Sequence, residues 1–213
     1  MAVVAVAGLL AAACSVVGVR SGTEEPPFTV VEQIAPGIEI RRYAPRLAAE
    51  TDLGEADSNA ARSKAFGRLF DYISGANAPA AKIAMTAPVE TATSASSGGA
   101  EEIAMTAPVE IASAGSDRMR FFLPVAMSLP DAPVPTDPAV RLIELPVQDM
   151  AVLRYTGSTA ESDTEIRSQE LLTALAATDW RPEGNPVAYF YDPPWTLPPF
   201  RRNEVAVPVR QRP

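Results

Sequence analysis

The sequence predicts an α+β domain. It has one antiparallel sheet built from two copies of a strand–strand–helix–strand–strand unit, with both helices lying against it. Three observations carry this expectation. Short β-branched or alternating segments recur between proline and glycine turn signals. Two longer stretches place apolar residues at helical spacing. Arg46-Leu47 and Ala151-Val152 lie 105 residues apart, and so do the expected helix starts Asp57 and Ser162, which points to an internal duplication. With 21 prolines in 213 residues, the regular elements must be short, because proline removes a backbone donor and fixes φ.

The elements follow in order. Met1 to Val19 carry no charged side chain, and as a helix they would span about 28 Å, close to the apolar thickness of a bilayer. Residues 1–20 are therefore read as an apolar signal or anchor segment rather than a core helix. Small residues Ala11-Ala12-Ala13 precede Cys14, and LLAAAC approximates a bacterial lipobox with Ala11 where a larger aliphatic usually stands. Export with cleavage, lipid attachment at Cys14 and retention as a membrane anchor all remain open. Residues 21–27 read as a tether, and 28–210 as a single domain.

That domain opens with FTVVEQI (28–34), the Pro36-Gly37 turn, IEIRRY (38–43) and a third strand over 46–53. A helix follows from Asp57 or Ser58 to Ser74, closed by Gly75, with Ala65, Phe66, Leu69, Phe70 and Ile73 on one face. RMRFFLP (118–124) is a strand, and residues 129–138 form a proline-rich loop. Strands over 140–145 and 149–156 lead to a second helix from 162 to 178, opened by a Ser162/Glu165 capping box. Strands over 187–191 and 204–209 complete the second unit.

Composition removes whole classes of function. The chain has 18 basic and 26 acidic side chains, a net charge of −8, which disfavours general binding to phosphate backbones. One cysteine permits neither an internal disulfide nor a cysteine zinc site. With no histidine, imidazole bases, histidine metal sites and proximal-histidine haem ligation are impossible. No glycine-rich phosphate loop, nucleophile elbow or metal-ligand spacing occurs, so no catalytic residue is assigned.

Two features are informative. The octapeptide IAMTAPVE occurs at 83–90 and again at 103–110, joined by small and polar residues. It reads either as two neighbouring hairpin strands or as Met-Thr pairs lining a pocket, with Met85 and Met105 as soft thioether ligands. The segment YFYDPPWTLPPFRRNEV (189–205) holds Trp195 and Phe200 on a proline-stiffened loop followed by Arg201 and Arg202. Such a loop suits a flat apolar ligand bearing carboxylates. The competing reading has the aromatics plug the end of the sheet while the arginines pair with Asp192 or Glu204.

Taken together, KIAMTAPVE (82–90) and its near repeat, MRFFLP (119–124), YDPPWTLPPFRRNEV (191–205), FGRLFDYISG (66–75) and the stretch EEPPFTVVEQIAPGIEIRRYAPRLAAET resemble the SOUL family of haem-binding proteins, over roughly residues 24–210. The resemblance implies a distorted antiparallel barrel-like sheet with two helices in pseudo-twofold arrangement. It also implies a non-catalytic role in binding haem or another porphyrin. The implied cleft lies between the first helix, at Phe66 and Phe70, and the loop before the last strand, at Trp195 and Phe200 with Arg201 and Arg202. Without histidine, any iron ligand would be Tyr72, Met85 or Met105, or the iron would have no protein ligand. The family fold also resembles the effector-binding domains of certain regulators. That leaves another small-molecule binder, a weak hydrolase with a buried acidic residue, or a protein-interaction module as alternatives.

Overall fold

The computed structural model describes residues 23–54, 59–92, 118–193 and 195–212. The apolar leader, the expected N-caps Asp57 and Ser58, and the second IAMTAPVE copy with Met105 lie outside the described residues. In chain order the elements are β1 (Phe28–Ala35), β2 (Ile38–Tyr43), β3 (Arg46–Asp52), α1 (Asn59–Ser74), β4 (Asn77–Ala78), β5 (Val89–Ala92), β6 (Arg118–Phe122) and β7 (Val134–Pro135). They continue with β8 (Val140–Leu145), β9 (Gln148–Tyr155), α2 (Glu161–Ala176), β10 (Trp180–Pro182), β11 (Val187–Phe190) and β12 (Asn203–Gln211).

The main sheet is antiparallel and runs β1-β2-β9-β12-β11-β5-β6-β3-β8, with β10 also on β12. Exchanging β2 with β8, β3 with β9, β5 with β11 and β6 with β12 reproduces the same order read backwards. The duplication is therefore real, with its pseudo-twofold axis between β5 and β11. The true offset differs from the one read in the sequence: Ile38 and Val140, Arg46 and Gln148, and Asn59 and Glu161 open equivalent elements, each pair 102 residues apart. The difference of three residues arises because Arg46 is equivalent to Gln148 at the start of β9, where the sequence pairs Arg46-Leu47 with Ala151-Val152, and because α2 opens at Glu161.

Chain connectivity forces the sheet to curl. β2 and β3 are six inter-strand spacings apart in the sheet, roughly 29 Å if it were flat. Only Ala44 and Pro45 join them, a link reaching about 11 Å. The same holds for β8 and β9, joined by Pro146 and Val147. Both links cross the open side of a half-barrel, bringing its edges together.

Alternate residues of each strand then divide between two faces. Outward, Leu47, Ala49, Met119, Phe121 and Val140 meet α1, while Ile38, Ile40, Ala151, Leu153, Val205 and Val207 meet α2. Inward, Tyr43, Ala48, Phe122, Met150, Val152, Tyr189 and Ala206, drawn from both halves, form one cluster. A single cluster from strands so far apart in sheet order requires the concave face.

The helices show what periodicity can and cannot give. α1 buries Ala65, Leu69, Tyr72 and Ile73 at i, i+4, i+7 and i+8. Phe66 and Phe70, expected on the same stripe, flank it and reach solvent. α2 begins at Glu161 after Ala160, which makes no side-chain cap, so the Ser162/Glu165 capping box does not form. Instead Thr164 and Ser158 bond the backbone of Ala160. The first IAMTAPVE copy is a strand only from Val89, and β5 pairs with β11 and β6. Residues 83–88 have no regular structure, with Thr86 donating to the Phe122 carbonyl.

Candidate functional site

The residues singled out from the sequence fall on different elements. On α1, the Phe66 and Phe70 rings stack 6.1 Å apart at 12°, and Phe66 meets Phe121 edge-on at 5.1 Å. They are 38% and 46% exposed, so a flat aromatic face stands beside the buried stripe of the helix. Met85 is also exposed. Tyr72, by contrast, is buried and its hydroxyl donates to the Pro133 carbonyl at 3.0 Å, which corrects its candidacy as an iron ligand.

Trp195 and Phe200, 64% and 49% exposed, sit on the 191–202 connection between β11 and β12. That connection is a firmly held structure. The Gly157 N–H donates to the Pro198 carbonyl at 3.0 Å, Arg201 Nε donates to the Thr196 carbonyl at 2.7 Å, and Thr196 is buried. Proline supplies fixed φ values around the aromatics, so their exposed position costs little additional ordering.

Arg202 is committed inward. Its guanidinium stacks 3.8 Å from the Tyr191 ring centre, donates to Glu204 at 3.0 and 3.2 Å, and pairs with both Glu25 oxygens at 2.9 and 3.0 Å. The local pairing with Glu204 thus describes Arg202, while Asp192 accepts its backbone N–H at 2.7 Å. Glu25 belongs to the segment read as a tether. Residues 23–27 lie against the domain: Glu24 accepts from the Val125 N–H through its side chain and from the Ala87 N–H through its carbonyl.

Sequence reasoning missed a charged network on the concave face. Glu204 is fully buried and takes Arg41 at 3.0 Å, Tyr191 at 2.7 Å and Arg202. Arg41 also holds Glu39 at 2.8 Å. Burial by itself lowers the Arg41 pKa, but the Glu204 charge and the neighbouring hydrogen bonds outweigh it and the net shift is upward. Burial, then the Glu204 charge, drives the Tyr191 hydroxyl well above its ordinary range. A second set joins Glu90 and Glu50 through Arg120, at 2.7 and 2.6 Å, with Arg141 on the outer oxygen of Glu50. The signal that could have found these residues is a charge at an inward position of an otherwise apolar strand, as in IEIRRY and NEVAVPV.

Arg46 stands apart from these networks. It is 7% exposed, lies 4.4 Å from the Tyr43 ring centre and 5.2 Å from that of Phe122, and touches Gln148 only at 3.4 Å. Among the described residues its Nε and Nη1 have no acceptor in good hydrogen-bond geometry, and its nearest polar neighbour besides Gln148 is the buried hydroxyl of Tyr189, which it approaches and stabilises as an acceptor. Arg46 lines a cavity of about 450 Å³ at the end of the half-barrel, between Pro26-Pro27, the links at Pro45 and Pro146, and the 124–129 turn. None of the residues picked out from the sequence as ligand-binding lines it. Among the described residues, no group of three Cys, Asp or Glu side chains is arranged to hold a metal ion.

The profile of the SOUL heme-binding protein family matches residues 23–208, and the chain belongs to that family. No curated protein sequence matches the chain. Among solved structures, the EcmrR C-terminal domain superposes with a TM-score of 0.53 at 9% identity, covering 82% of this chain and 97% of that one. EcmrR in its DNA complex gives 0.56 at 10% identity, but the match covers only 57% of that chain. An uncharacterised conserved protein from Listeria innocua gives 0.52 at 12% identity, with 89% and 94% coverage. At these identities the likeness is one of fold.

Proposed function

We propose that this chain is a non-catalytic haem- or porphyrin-binding protein that holds its ligand on aromatic side chains and without histidine. The observation that carries the reading is the nearly parallel Phe66–Phe70 pair, exposed on a helix whose other large apolar residues, Leu69, Tyr72 and Ile73, are buried. Family membership supports a tetrapyrrole in general. Trp195 and Phe200, held out by the proline-braced connection, supply the second aromatic surface, and Arg201 stands next to it for a propionate. Arg202 serves the ligand only if Glu25 gives way.

The residues fit a tetrapyrrole disc better than a liganded iron. Planar stacking and apolar burial need no metal, and a thioether from Met85 or Met105 would be the soft ligand at hand. Metal-free porphyrin is therefore expected to bind about as well as haem. We further propose that residues 1–20 export the domain or tether it to a membrane. No helix among the described residues is long and apolar enough to cross one.

The test is absorbance titration of the purified chain with hemin and with protoporphyrin IX. Saturable Soret shifts of similar affinity are expected, weakened by Phe66→Ala with Phe70→Ala and by Trp195→Ala. Absence of a saturable micromolar change with either ligand refutes the reading. The hydrolase alternative has less support. The buried carboxylates Glu50, Glu90 and Glu204 are each tied to arginines, and the cavity is lined by none of them.

A further inference from the structure

We propose that the cavity at the end of the half-barrel is a separate site for an amphipathic carboxylate, whose charged end is taken by Arg46 and whose apolar body lies against the cavity wall. The inference rests on the cavity and on Arg46 and stands independently of the aromatic face on α1.

A buried guanidinium normally has its donors occupied, because leaving them unpaired carries a desolvation cost. In this protein Arg41, Arg120 and Arg202 meet that condition with carboxylates. Arg46, also buried, has no acidic partner among the described residues, and its only polar neighbours are the neutral side chains of Gln148 and Tyr189. Two aromatic rings stabilise the cation without consuming its N–H groups. Neither neutral neighbour compensates the charge, and the contact to Gln148 is long at 3.4 Å, so the guanidinium can turn about its stem toward the cavity it lines.

The cavity wall defines the rest of the ligand. Leu47, Phe122, Leu123, Met127, Leu129 and Leu145 make it apolar. Its five prolines offer no backbone N–H, and Arg46 is the only cation among the lining residues. One guanidinium matches one carboxylate bidentately, whereas a phosphate dianion needs several donors. Glu144, exposed at the rim, is the only lining acid and repels a second charge. The volume lies within the range of small-molecule sites. The Pro26-Pro27 segment forms part of the wall and is held by the contacts of Glu24 and Glu25 and by the Ala44 N–H, which donates to the Pro27 carbonyl at 3.1 Å.

Carboxylates of two origins meet this description: a free aliphatic or aryl acid, and the propionate of a tetrapyrrole. The experiment is calorimetric titration of the full chain with decanoate and with decanol, followed by competition with mesoporphyrin. Decanoate should bind at least about tenfold more tightly than decanol, the margin of one charge-assisted hydrogen-bonded pair. Arg46→Met should erase that preference, and Leu129→Trp, which fills the cavity but leaves Arg46 in place, should weaken both ligands. Mesoporphyrin displacing decanoate assigns the site to propionates. Simultaneous binding assigns it to a separate acid. Failure of porphyrin to bind at all overturns the aromatic-face reading and leaves the decanoate result intact. Equal affinity for decanoate and decanol, or an unchanged preference in folded Arg46→Met, overturns the proposal.

Discussion

Replacing Glu204 with glutamine would remove one negative charge from the centre of the concave face while keeping its shape. Glu204 is fully buried and accepts from Arg41 Nη1 at 3.0 Å, Arg202 Nη2 at 3.0 Å and the Tyr191 hydroxyl at 2.7 Å. Removing one partner of a buried ion pair typically costs about 3–5 kcal/mol, because the other charge stays desolvated. Here each arginine keeps a second carboxylate, Glu39 at 2.8 Å for Arg41 and Glu25 at 2.9 Å for Arg202. The loss should therefore sit at the lower end, about 3 kcal/mol, or roughly 6–12 °C in Tm for a domain this size. Urea unfolding followed by tryptophan fluorescence measures it, with an unchanged m-value as the check that the unfolded state is unaffected. A loss below about 1 kcal/mol, the usual worth of exposed pairs, would mean that water reaches the network and that the concave face is not closed. Glu204→Leu combined with Arg41→Met should recover much of the loss, since apolar replacements of a buried pair are often neutral.

Leu69→Ala on the buried face of α1 should cost about 3 kcal/mol, while Phe66→Ala with Phe70→Ala should leave chemical denaturation within about 1 kcal/mol per substitution and lower porphyrin affinity instead. All five tyrosines have pKa values raised by burial, which favours the protonated hydroxyl in the folded state. A folded pKa above the unfolded one contributes stability that is present below about pH 10 and lost as pH rises through the folded value. Absorbance at 295 nm should thus show little phenolate until the chain unfolds in alkali, and gradual ionisation centred on the ordinary tyrosine value would contradict the burial. Arg46→Met should leave Tm unchanged within a few degrees, because its charge lacks a carboxylate partner to strand. A loss as large as that expected for Glu204→Gln would reveal a partner that the geometry lacks.

The sequence displayed much of the fold because most of its signals are local. Phe28–Ala35, Ile38–Tyr43, Arg46–Asp52 and Val140–Leu145 are strands bounded by Gly37, Pro45 and Pro146, as alternation and turn residues imply. The duplication was legible, but its offset depended on strand register and on the helix starts. Those are set by backbone caps such as Ala160, which leave no side-chain signature. Phe66 and Phe70 were placed on the right helix but on the wrong part of its circumference. A helical stripe has no sharp edge until the sheet beneath it is known. For Arg202 the sequence offers a ligand or a local acid, and the pairing with Glu204 forms, but its second partner Glu25 lies 177 residues away in sequence and leaves no local signal.

Local chemistry therefore determined the α+β class, the two-unit repeat, the exclusion of imidazole chemistry and the aromatic connection at 191–202. Only the tertiary structure decided which of three arginines are paired with carboxylates. Arg41, Arg46 and Arg202 look alike as residues in extended or loop segments. Curling the sheet brings Glu204 and Glu25 to two of them and leaves the third between two aromatic rings at a cavity. A side chain's chemistry depends on what fills the few ångströms around its charge, and in a sheet closed by two-residue links those neighbours come from the far ends of the chain.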